Sequence, residues 1–356
     1  MRKKVCIGDL GTIVTGNTPP RNRPELYGNH TPFIKATDIS ELEKYTYNPE
    51  ECYSEEGYNK YIKSLIPKGS TCVVTIGSIG KKMTMAHCDL FINQAMNAII
   101  PNACFDSEYV YYAVKNVLGN IKTLDSGTAS GRENVSKSAF SKMEIWVEEE
   151  LPIQQRIATI LSRYDSLIEN YQKQIKLLEE SAQRLYKEWF IDLRFPGHEN
   201  TKIVDGVPEG WEKKKVGDLI SKIQRTKQVA ANNYQISGLY PVIDQSRNYI
   251  AGYTNDIESL VEVTIPYIVF GDHTRVLKYV PFSFAKGADG TQLIMSNDLE
   301  RMPQSLFYNS LIEIDLSNYS YARHFKYLKE ESILVPSKDI AQRYDKVVSQ
   351  YFQSIQ

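Results

Sequence analysis

The chain has 356 residues, of which 42 are basic and 43 acidic, giving a formal net charge of −1. That length has room for two domains, since a single core rarely grows beyond about 250 residues. The near-neutral balance excludes a nucleic-acid reading based on a globally basic surface, though a local basic face is compatible with it. No run of about 18 apolar residues is present, so no membrane-spanning helix is predicted. The opening MRKKVCIGDLGT is basic but has no apolar core or small-residue cleavage site, which excludes a secretory signal. Five cysteines (Cys6, Cys52, Cys72, Cys88, Cys104) all precede residue 110 without a CxxC pair. They read as reduced thiols of a cytoplasmic protein. His87 and Cys88 are neighbours in sequence, which does not make a zinc site, and no metal is expected.

Residues 1–150 are rich in Tyr, Val, Ile, Thr, Gly and Pro, with short apolar runs such as STCVVTIG, and predict strands and loops. A helix is expected near SEYVYYAVKNVL (107–118). After Pro152 an a/d stripe runs through Ile157, Leu161, Tyr164, Ile168, Tyr171, Ile175, Leu178, Ala182, Leu185 and Trp189. Pro152 suits a first turn, and RFPG (194–197) is a stop. A helix over 157–189 would be about 50 Å long, which reads as a strut rather than as a surface helix. Residues 196–335 repeat the strand-rich character, with PYIVFG as a comparable apolar run. RYDSLIENYQKQI (163–175) then returns as RYDKVVSQYFQSI (343–355), keeping the stripe through Ala341, Tyr344, Val348, Tyr351 and Ile355. KKVCIGDL (3–10) is likewise answered by KKKVGDL (213–219).

The repeat predicts domain, strut, domain, strut: 1–150, 151–195, 196–335 and a short 336–356. The expected fold is α+β, with two β-rich domains joined by two long helices that pair as an antiparallel coiled coil with pseudo-twofold symmetry. The second helix, being shorter, is expected to cover residues 171–189. It would leave Ile157, Leu161 and Tyr164 to be buried by another chain.

With that layout, the sequence resembles a DNA-specificity subunit of type I restriction–modification systems over essentially its whole length. TGNTPPRNRPELYGNHTPFIKATDI (15–39) is similar to that family's opening Gly-x-Thr-Pro loop and strand. PKGSTCVVTIGSIGKKMTMAHCDLFINQAMNAIIP resembles its next block, with the Asn93-Gln94 pair. LPIQQRIATILSRYD and LYKEWFIDLRFPGHE resemble the two ends of a spacer helix. VPEGWEKKKVGDL and VFGDHTRVLKYVPFSFAKGADGTQLI resemble a second recognition domain. The resemblance implies two target-recognition domains reading the halves of a split double-stranded DNA site. It also implies spacers that fix the gap and dock modification (methyltransferase) and restriction subunits, with a homodimer through the spacers as a further option. Catalysis would belong to the partners. The chain carries no Asn/Asp-Pro-Pro-Tyr/Phe motif, no cofactor glycine motif and no acidic nuclease cluster, so no catalytic residue and no cofactor is expected. The alternatives are the specificity chain of a related fused restriction–methylation system and a coiled-coil protein scaffold that binds no DNA.

Individual residues each carry two readings. GSIGKK (77–82) lacks the spacing of a phosphate-binding Walker loop. It is either a tight turn between strands or a phosphate contact through Ser78, Lys81 and Lys82. NTPPRNR places Thr18, Arg21 and Arg23 on a proline-stiffened loop, suited to guanine readout or merely solvated. Lys35 ends an apolar run and is either a DNA contact or an exposed strand residue. In the second domain GDHTRVLK concentrates His273, Thr274, Arg275 and Lys278, with Arg275 the strongest candidate for base readout. His273 and Asp272 could equally share an ordinary loop hydrogen bond. Arg225 and Arg323 complete the DNA-contact candidates. Candidate subunit-interface residues are Ile157, Leu161, Tyr164, Ile168, Tyr171, Tyr344 and Tyr351. The 24 tyrosines are read as strand packing with wet hydroxyl ends rather than as platforms for flipped bases.

Overall fold

The computed structural model of the chain describes residues 2–125, 133–224, 226–288, 290–319 and 323–355. The chain divides into Met1–Gln172 and Lys173–Gln356. That division falls inside a single helix, Leu151–Tyr186, rather than at either of its ends.

In the first unit, Gly11–Thr15, Met96–Pro101, Thr71–Val74 and Met83–Met85 form a four-stranded sheet in that order, antiparallel throughout. The continuous apolar run TCVV is explained by burial on both faces. Val73 enters one core with Ile99, Val110 and Phe140, while Cys72 and Val74 enter another with Ile34, Leu90 and Met96. A second sheet orders Tyr27–Gly28, Glu51–Tyr53, Thr31–Ile34 and Phe91–Ile92, and its last pair is parallel. The helix Ser107–Asn116 begins where Asp106 accepts a hydrogen bond from the Tyr109 amide at 2.9 Å. Arg2–Cys6 pairs antiparallel with Glu144–Glu148, which runs directly into the long helix.

That helix is fastened to its own unit by Gln154, which is fully buried. The Gln154 Oε1 accepts the Asp106 amide at 2.9 Å, and its Nε2 donates to the Glu148 carbonyl at 2.9 Å. Ala158 and Ile157 pack into the domain core, so Ile157 is half-buried by its own unit and needs no other chain to cover it. Farther along, the Tyr112 hydroxyl donates to Asp165 at 2.7 Å.

The second unit repeats this plan. Glu212–Lys215 pairs antiparallel with Ser332–Val335, which runs into the helix Lys338–Ile355. A four-stranded sheet again contains one parallel pair, Tyr240–Ile243 with Phe284–Lys286. A three-stranded antiparallel sheet orders Leu277–Val280, Tyr267–Gly271 and Thr291–Ile294. The end of the long helix and the turn Lys187–Ile191 after it bury Ala182, Tyr186 and Phe190 with Tyr344, Val348 and Phe352 of the C-terminal helix. Tyr344 is fully buried and its hydroxyl donates to the Ala182 carbonyl at 3.2 Å. This corrects two expectations. Tyr344 is core and unavailable to a partner subunit, and Tyr171, which the C-terminal helix was expected to cover, is 55% exposed. Tyr351 is half-buried against the same core.

Candidate nucleic-acid interface

In the first unit the proline loop is held by two tyrosine hydroxyls, Tyr27 donating to the Pro19 carbonyl at 2.6 Å and Tyr53 to the Asn17 carbonyl at 2.8 Å. Both rings belong to the small aromatic core around Phe33 and Phe91. Thr18 on this loop hydrogen-bonds Gln94, which joins the loop to the Asn93-Gln94 turn. Arg21 is exposed and lies 5.0 Å over the Tyr27 ring. It makes a bidentate pair with Glu51 at 2.7 and 3.1 Å. The Arg21 hydrogen bonds hold the Glu51 carboxyl below the usual carboxylate range. Lys35 pairs with Glu50 and lies 3.7 Å from Glu51, and Arg23 meets Glu25 at 2.6 Å and Glu56 at 3.4 Å. The fold therefore brings Arg21 and Lys35 together over Glu51, as cations already met by carboxylates.

The GSIGKK segment is a tight turn. Gly77 and Gly80 take left-handed φ values of 89° and 75°, and Ile79 between them is buried. Ser78 and Lys81 are exposed at this turn, whereas Lys82 is half-buried with its ammonium 3.4 Å from the Ala36 carbonyl.

In the second unit the 271–276 loop is organised by Gln245, a residue that nothing in the sequence singled out. Its side-chain oxygen accepts the His273 amide at 3.1 Å, and its carbonyl accepts the Thr274 hydroxyl at 2.5 Å. A Cβ at Gly271 would fall 2.1 Å from Thr274 Oγ1, so only glycine lets the loop fold back this closely. Asp272 does not pair with His273. It is buried, its carboxylate accepts the Phe325 amide at 2.8 Å, and its carbonyl accepts the His324 amide at 2.9 Å. His273 and Thr274 are exposed at the tip. Arg275 is exposed in the left-handed region at φ 62°, and its Nη1 donates to the Leu316 carbonyl at 3.1 Å.

Lys278 is a correction. It is 4% exposed, and its ammonium donates to the carbonyls of Asp244 at 2.7 Å and Asn248 at 2.6 Å. Burial holds that ammonium below its ordinary pKa. Lys278 ties the 244–248 loop to the sheet, and its ammonium is spent on those two carbonyls. Arg323 is exposed, and Arg225 lies outside the described residues. The stripe residues Leu161, Tyr164, Ile168 and Tyr171 are 38%, 64%, 50% and 55% exposed.

Sequence missed a further cluster. Lys44, 4% exposed, pairs with Glu108 and lies 4.9 Å over the Tyr112 ring, whose hydroxyl bonds Asp165 of the long helix. These contacts join residues 53 to 68 apart in sequence, beyond any local pattern.

Known proteins place this architecture. A family model described as the type I restriction modification DNA specificity domain matches residues 2–180. The type I restriction enzyme MjaIX specificity subunit of Methanocaldococcus jannaschii is 32% identical over 219 residues, covering 60% of this chain and 50% of that one. The HindI specificity subunit of Haemophilus influenzae is 34% identical over 142 residues, covering 39% of this chain and 30% of that one. The chain thus spans half the length, or less, of these two relatives. Among solved structures, a type I restriction–modification S subunit from M. genitalium superposes with a TM-score of 0.62 over 100% of this chain and 90% of that one. At 17% identity that likeness is one of fold. With half of its residues matched by the family's own model, the chain belongs to the type I restriction–modification DNA specificity family.

Proposed function

We propose that the chain is the non-catalytic DNA-recognition subunit of a type I restriction–modification complex. Each of its two units reads one half of a split double-stranded site. Modification subunits, and through them restriction, dock on the helical segments, and methylation and cleavage are carried out by those partners. The observation that carries this reading is duplication inside a specificity-family chain. Each unit contains a strand that pairs with the strand leading into a helix, and each holds a four-stranded sheet with one parallel pair. Two like modules on one chain suit two half-sites. In the first, Arg21, Arg23 and Lys35 would exchange their glutamates for phosphates or guanine edges. In the second, His273, Thr274 and Arg275 form the exposed tip.

Gel-shift titration of the chain together with its modification subunit, against a random duplex pool, tests the proposal. Retention should be site-selective and should weaken steeply as salt rises, because phosphate contacts release counterions. Methylation mapping should then return two specific halves around an unspecified gap. A single continuous motif would sink the split-site reading. Absent or salt-independent binding would leave a protein scaffold.

A further inference from the structure

The second unit contains a cavity of about 680 Å³ that none of His273, Thr274 and Arg275 lines. Its wall is aromatic, with Tyr249, Tyr279, Phe282, Tyr308 and Phe352 around it and Glu179 of the long helix at its edge. The rings brace one another. Tyr279 stacks on Phe352 at 4.3 Å, Tyr308 meets Phe352 edge-on at 5.7 Å, and Tyr249 meets Phe282 edge-on at 6.1 Å. The Tyr249 hydroxyl donates to the Tyr279 carbonyl at 2.5 Å, which fixes that ring. Volume and lining fall within the range of small-molecule sites, which pair apolar walls with a few placed polar groups.

The charges beside this wall are of two kinds. Lys278 also lines the cavity, but its ammonium is capped by the Asp244 and Asn248 carbonyls, and its charge is met there. Glu179 has neither a side-chain hydrogen bond nor an ion pair among the described residues, and it is close enough to Tyr249 and Tyr308 to influence both hydroxyls electrostatically. A carboxylate beside ring faces, whose quadrupoles also attract positive charge, is complementary to one kind of guest. We propose that this cavity binds an organic cation with an apolar body, its charge against Glu179 and its body against the rings.

The full chain titrated calorimetrically with (4-hydroxyphenyl)trimethylammonium, and in parallel with its neutral isostere 4-tert-butylphenol, tests this. The cation should bind at least tenfold more tightly than the neutral analogue. Glu179→Gln, which keeps the shape of a rim side chain, should erase most of that difference. Phe282→Leu, which keeps apolar volume but removes a ring face, should weaken the cation several-fold and leave the neutral compound nearly unchanged. No binding of the cation overturns the proposal. So does equal binding of cation and isostere, or a preference that survives both substitutions. Neither residue is assigned to DNA, so retained gel-shift activity in both variants would separate loss of this site from loss of recognition.

Discussion

Arg275 combines two properties that rarely coincide in a residue kept only for solubility. It is exposed, and it occupies the left-handed region, which disfavours any side chain with a Cβ by about 1–2 kcal/mol. Its Nη1 is committed to the Leu316 carbonyl, which uses one of five guanidinium donors and orients the others. The remaining edge can still present two parallel donors to guanine O6 and N7. Arg275→Ala is therefore expected to weaken one half-site by about 1–3 kcal/mol and leave the other unchanged. Competition gel shifts with duplexes altered in one half at a time measure this. A uniform loss on every sequence would make Arg275 a phosphate contact, and no loss would remove it from the interface. Lys278, three residues on, shows what was legible and overlooked. In Leu277–Val280 the buried positions are Lys278 and Val280, so strand alternation itself put the lysine on the core face. No local pattern pointed to Gln245 or to the actual partner of Asp272, because the contacts span 28 and 53 residues.

At the scale of elements, the heptad stripe of the long helix was readable as one continuous feature, but its neighbours change along its length. Ile157 and Ala158 pack into the first core, and Ala182, Tyr186 and Phe190 into the second. Between them Leu161, Tyr164, Ile168 and Tyr171 remain on the surface with Ile160 and Leu167. A period in the sequence states that a face is apolar and leaves open what covers it, which is why the expected coverage of Tyr171 was wrong. Burying a large apolar side chain contributes about 1.5–3 kcal/mol, so a run of this kind marks an interface. Under the proposed function, this face takes a helix of a modification subunit. Leu161→Glu should keep the melting temperature of the isolated chain, since the side chain lies on the surface, and should abolish that association. Size-exclusion light scattering with and without the modification subunit distinguishes the outcomes. Normal assembly of the variant would show that the stripe is not the docking face.

At the scale of the whole molecule, duplication was the most legible property. The paired KKV/KKKV segments do form corresponding strands of the two units, Arg2–Cys6 and Glu212–Lys215. Which strands they would meet was not legible, since each pairs across more than a hundred residues with the strand before a helix. The two units are joined through Leu151–Tyr186, and from Ser166 to Gln172 that helix carries exposed side chains with the exception of a half-buried Glu169. Residues added there disturb neither core. Four extra residues would lengthen the helix by about 6 Å and seven by about 10 Å, the latter returning the apolar face close to its original phase. With base pairs about 3.4 Å apart, the gap between half-sites should grow by about two and three base pairs respectively. Both half-site sequences should be unchanged, because the residues proposed to read them stay within intact units. Methylation mapping of the two insertion variants decides it. A changed half-site sequence would mean that the helix takes part in reading bases. An unchanged gap would mean that this helix does not set the spacing of the split site.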